Sequence, residues 1–216
     1  MSEQPYQLPL PGETSRPLTA GWLYLALASL VGSGLVVILI VLSRTPIIHD
    51  MIPWVGSFRP ALVIHVELSV LVWFLAIAGI FAGLGLSEKH PQWGKLSLGL
   101  AWAGALLITC SPFMAAGEAY INNYVPTLDN PPFFWGLGIF GAGVALMTLH
   151  GLYHTATPNY FNQREKALLF GIRSALLILL ASIALLLWTL QILPADAEGK
   201  ERYEYLRSEE RRVGEG

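Results

Sequence analysis

The sequence predicts an all-α integral membrane protein, a bundle of five transmembrane helices. Two observations carry this prediction. The 216 residues are 54% hydrophobic and only 13% charged, with a mean hydropathy of +0.52, whereas soluble domains carry roughly 25% charged residues. In addition, five apolar stretches each reach the length of about 20 residues that a hydrocarbon core of roughly 30 Å requires. In lipid only helices and closed barrels satisfy their own backbone polar groups, and apolar runs this long without period-two alternation are helices.

The lead-in, residues 1–20, is the polar, proline-rich stretch "MSEQPYQLPLPGETSRPLTA". It lacks the basic n-region of a signal peptide, and the apolar run after it is too long for a signal h-region. It is expected to be a disordered or surface-lying entry to a retained helix. The transmembrane part is expected to fill residues 21–193. Its spans are Gly21–Leu42, Pro60–Leu86, Leu96–Ala116, Pro132–Thr155 and Ala167–Leu193. The breaks between them carry turn chemistry: "RTPIIHDMIP", "SEKHPQWG", "NNYVPTLDNPP" and "TPNYFNQREK".

Orientation follows from the basic residues of the short loops. The first loop has Arg44 and Arg59, the second Lys89 and Lys95, and the fourth Arg164 and Lys166; the third, from Gly117 to Pro131, has none. Arg16 adds to the even-numbered side. The N-terminus is therefore expected on the cytoplasmic side, with the first and third loops outside. Arg173, near the start of the fifth span, can snorkel to the interface.

Several function classes drop out. The net charge is −2 and there is no basic run for nucleic acid. Cys110 is the only cysteine, so there is no internal disulfide and no cysteine-rich metal site; inside an apolar segment it reads as a small buried hydrophobe. The glycines of "WGLGIFGAGVALM" lie in a span and follow no strand, so they are packing residues and not a dinucleotide fingerprint. There is no P-loop and no serine triad.

Four polar residues inside the spans need an explanation, because an ionisable group in lipid costs about 2.5–3.5 kcal/mol on insertion scales. His65 begins a stripe on the second span with Ser69, Val72, Trp73, Ala76, Gly79 and Gly83. Gly79 and Gly83 form a small-xxx-small pair that admits another helix or a flat ligand. Imidazole is a common axial ligand of haem iron; the alternative is a histidine bonded to a neighbouring helix. Glu67, about 200° around the helix from His65, reads either as a proton-handling or partner-binding carboxylate or as an interfacial one hydrogen-bonded to a neighbour. His150 and His154 share a face at i, i+4 spacing, as metal ligands can. With no third ligand beside them, they read first as an interfacial pair with Tyr153. The third loop, "AAGEAYINNYVPTLDN", is rich in turn-forming residues and is expected to be ordered.

Taken together, "ALVIHVELSVLVWFLAIAG" and the downstream "GEAYINNYVPTLDNPPFF" resemble the divergent, cbb3-type-like branch of haem–copper oxidase subunit I proteins. The resemblance runs from about Gly21 to Leu206. It implies that the five helices are the N-terminal part of a larger subunit I bundle of about a dozen helices in the bacterial inner membrane. It implies a low-spin haem whose axial metal ligand is His65, with Arg59 placed to pair with a haem propionate. Copper and the second haem belong to later helices that this chain does not contain. The implied activity of the complete protein is electron transfer from a cytochrome or quinol through haem to a haem–copper site that reduces dioxygen to water, coupled to proton movement. The implied partners are membrane lipid and other oxidase subunits. This fragment alone is expected to be inactive. The alternatives are a nitric-oxide reductase-type catalytic subunit and a non-catalytic packing or assembly subunit. One departure stands out: mainstream oxidases have methionine four residues after the histidine, where this chain has Ser69.

Residues 194–206 resemble the loop that leads to a sixth helix. The stretch "RSEERRVG" at Arg207–Gly214 is what one frame of a common sequencing adapter encodes. Residues 207–216 are accordingly read as an adapter-derived artefact, the alternative being a natural charged tail.

Overall fold

The computed structural model describes residues 13, 15–43, 58–84, 91–121, 126–156 and 163–192. The expectations for residues 194–206 and 207–216 therefore lie outside the described residues.

Five long helices follow one another. Helix α1 is Arg16–Ser43. Helix α2 is one continuous path in three pieces: Phe58–Val66, a π-helical segment Glu67–Val72, and Trp73–Leu84. Helices α3, α4 and α5 are Pro91–Met114, Pro131–Ala156 and Gln163–Ile192. All five are long and apolar enough to cross a membrane. Large apolar side chains cover the outside: Val31, Leu35, Phe170, Ile178, Leu185 and Trp188 are all more than half exposed. In water such a surface would be a liability; on a multi-pass bundle it is the lipid-facing side.

The helices begin earlier than hydropathy predicts, because polar residues build their first turns. Helix α1 starts at Arg16, five residues before the expected Gly21, with Pro17 in its first turn, a position that suits proline. The Ser15 carbonyl there accepts bonds from the Thr19 N–H at 2.9 Å and the Thr19 hydroxyl at 3.0 Å. Helix α3 likewise starts at Pro91, five residues before the expected Leu96.

Two helix pairs form the core. Helices α3 and α4 pack most closely. A Cβ at Gly104 would fall on the backbone of Phe140, and one at Gly143 would lie 2.7 Å from the Ala101 nitrogen. The missing side chains let the two backbones touch, and the Ser97 hydroxyl bridges them by donating to the Gly143 carbonyl at 2.9 Å. The second pair is α1 with α2. At Gly79 a Cβ would meet the Trp22 ring, and at Gly83 the Thr19 hydroxyl. Helix α5 packs against α4, with Ile172 and Leu176 buried.

The junction of α3 and α4 resolves a local conflict. Pro112 sits inside α3 and has no N–H to offer the carbonyl four residues back. The Ser111 hydroxyl donates to that Ile108 carbonyl at 2.8 Å. The buried Asn130 then serves two helices. Its Oδ1 accepts from the Phe133 N–H at 2.9 Å, capping α4. Its Nδ2 donates to the carbonyls of Ser111 and Ala115, both at 3.1 Å. The expected order of the third loop holds for its described part: Ala119–Tyr120 pairs antiparallel with Thr127–Leu128.

Candidate functional site

His65 lies six residues past Arg59, about 9 Å along α2 at 1.5 Å per residue. Its side chain is half-buried. The imidazole Nδ1 is 2.6 Å from the hydroxyl of Ser33 on α1 and 3.3 Å from the Ser33 carbonyl. With Nδ1 protonated, the ring donates to Ser33 and Nε2 carries the lone pair. The His65 main chain is fixed as well, its carbonyl accepting from the Ser33 hydroxyl at 3.2 Å and the Ser69 hydroxyl at 2.7 Å. These bonds lie where α2 changes from α to π geometry, a feature that recurs at functional sites.

Ser33 is the residue that the sequence reading missed. A serine in an apolar span carries no signal by itself, and its value comes from a partner 32 residues away. Ser69 is held locally, with its hydroxyl on the His65 carbonyl. The glycine stripe below His65 is not open to a flat ligand. Trp22 and Thr19 occupy the space beside Gly79 and Gly83, and Ala76 is fully buried. Of the two occupants expected there, the structure has the helix.

Glu67 departs from the expectation of an interfacial, hydrogen-bonded carboxylate. It is 2% exposed, and its Oε2 has no hydrogen-bond partner among the described residues. It opens the π segment. Arg59 is exposed at the start of α2.

His150 and His154 come together, as their spacing predicts. Their Nε2 atoms are 3.0 Å apart and the rings cross edge to face at 87°. Unlike an interfacial pair, both are buried, at 8% and 6% exposure, while Tyr153 is 59% exposed and touches His154 by a ring edge. Cys110 is exposed, not buried as its apolar surroundings suggest, because it faces outward from α3. No group of three or more histidine, cysteine, aspartate or glutamate side chains is assembled among the described residues.

No family model matches the chain, and no solved structure matches it. The chain is 32% identical to an uncharacterized protein of Rickettsia prowazekii (strain Madrid E) in an alignment 160 residues long that covers 63% of this chain and 31% of that protein. It is also 32% identical to an uncharacterized protein of Aquifex aeolicus (strain VF5) over 148 residues, 68% of this chain and 37% of that protein. The chain thus spans about a third of the length of the curated relatives it matches.

Proposed function

We propose that the chain is the N-terminal, haem-binding part of a haem–copper oxidase subunit I-like protein of the bacterial inner membrane, with its N-terminus cytoplasmic. In this reading the complete protein takes electrons from a cytochrome or quinol and reduces dioxygen to water at a haem–copper site, coupled to proton movement. The observation that supports it is the state of His65. Histidine ligands of metals characteristically donate their second ring nitrogen to an oxygen, which fixes the tautomer and the ring orientation. With Nδ1 protonated, Ser33 accepts from it in this way, and Nε2 is the nitrogen left to bind iron. His65 as a whole is half-buried.

The fit to haem is specific to His65. The stripe at Ala76, Gly79 and Gly83 does not contribute to it, since α1 fills that side. Arg59, exposed at the start of α2, is the candidate partner for a propionate. When bound, a haem supplies one-electron transfer, tuned by its axial ligand, neighbouring hydrogen bonds and burial. The residues of this chain orient the imidazole: Ser33 holds the ring, and Ser33 with Ser69 holds the main chain from which it projects. Copper and the second haem are assigned to the longer protein beyond this chain.

One observation favours a second reading, a non-catalytic packing subunit. The bond between His65 and Ser33 also suffices to keep a histidine inside a helix pair. The complete reading frame separates the two. Purified, it should show the reduced-minus-oxidised bands of a six-coordinate low-spin haem, and its later helices should supply further histidines. A complete protein without haem, and without those histidines, would leave only the packing role. The chain by itself should show no oxygen reductase activity, and turnover by it would refute the assignment of the copper site to later helices.

A further inference from the structure

His150 and His154 lie in the last two turns of α4, apart from His65, and the proposed haem site has no use for them. We infer that they form a two-imidazole chelate for a tetragonal divalent transition metal, Cu²⁺ or Ni²⁺.

The first argument is distance. Two imidazole nitrogens bound to one metal at about 2.0–2.1 Å each, with the 3.0 Å separation seen here, subtend about 91–97° at the ion. That is the cis angle of a square-planar or tetragonal site, the geometry that Cu²⁺ and Ni²⁺ select. A tetrahedral zinc angle of about 109° would hold the nitrogens roughly 3.3 Å apart.

The second argument is electrostatic. His154 is in the last turn of α4, where the unsatisfied carbonyls and the helix dipole favour a positive charge. The third is rigidity. Gly151, between the two histidines, leaves no room for a side chain, since a Cβ there would lie 2.8 Å from Leu176 and 3.5 Å from Ala82. Helices α2 and α5 therefore clamp this turn and keep both rings on one face. The proton balance is simple. In the metal-free pair one Nε2–H donates to the other Nε2; in the bound pair each neutral ring carries its single proton on Nδ1, so the two states hold the same number of protons. Both Nε2 lone pairs then face the ion with no net proton release.

The test is Cu²⁺ titration of the full chain in detergent micelles, with ¹⁵N-labelled histidine and electron paramagnetic resonance as the readout. One tetragonal Cu²⁺ per chain, with superhyperfine coupling to two histidine nitrogens, is expected. His150→Gln and His154→Gln should each weaken binding at least ~10-fold, since losing a ligand costs no less than losing a ligand's outer partner. His65→Ala should leave it unchanged, and Ni²⁺ should raise the thermal midpoint of the parent chain but of neither glutamine variant. The parent spectrum decides the matter even if a variant fails to insert: fewer than two coupled histidine nitrogens, or no stoichiometric Cu²⁺, overturns the proposal. So does a two-nitrogen signal that survives both glutamine substitutions.

Discussion

At His65, α1 holds both the ring and the main chain. The Ser33 hydroxyl lies within hydrogen-bonding distance of Nδ1 and of the His65 carbonyl, so its removal loosens the ring and the π junction together. In the complete protein, Ser33→Ala should weaken haem retention by about 10–100-fold, the usual cost of losing the partner of a histidine ligand. A haem titration that gives the parent affinity would show that Ser33 does not orient the ring. Glu67→Gln should leave the low-spin haem spectrum largely intact, because no hydrogen bond links Glu67 to His65; a lost or shifted band would place the carboxylate in the haem environment. The candidate histidine was legible in the sequence because an ionisable residue in an apolar run is costly and therefore conspicuous. Its partner was not, since serine is cheap to bury when bonded. The burial of Glu67 was hidden for a related reason: which face of a helix meets its neighbours depends on α1 and α3, not on α2 alone.

The helices α3 and α4 make the tightest pair, and their glycines divide by position. Gly143 faces the backbone of α3, whereas Gly141 has nothing within 4 Å of its would-be side chain. Gly143→Leu should destabilise the bundle by about 1–3 kcal/mol or more, as overpacking does. Gly141→Leu should stay within about 0.5 kcal/mol of the parent, as surface changes do. Unfolding in mixed micelles measures both, and equal effects would contradict the packing described here. Asn130→Ala removes the cap of α4, worth about 0.5–2 kcal/mol, and strips a donor from two α3 carbonyls. A loss of about 2 kcal/mol is expected, and one below about 0.5 kcal/mol would show that water replaces the side chain. All five spans were legible, because hydropathy over about 20 residues is a local property. Their ends were not, because Pro17, Pro91 and the Ser15 carbonyl extend helices through polar residues that hydropathy discounts. The π segment Glu67–Val72 was also illegible: its register shift is tied to contacts with α1 and leaves no composition signal.

For the whole molecule, the five apolar helices of the described residues, with their apolar exterior, make a multi-pass bundle, and the proposed orientation rests on the basic-residue bias. A reporter fused after Asn123 should read as periplasmic. A cytoplasmic reading would invert the bundle and put His65 near the opposite face. The size of the relatives, of which this chain spans about a third, makes the complete protein the right object for any test of function. The central claim is that His65 is tolerated inside α2 because its imidazole binds haem iron. The measurement that addresses it most directly is the reduced-minus-oxidised optical spectrum of the complete protein carrying His65→Ala, with insertion and amount matched to the parent. The account predicts that the low-spin haem bands disappear. A normal low-spin spectrum in that variant would contradict it and return His65 to a packing role against Ser33.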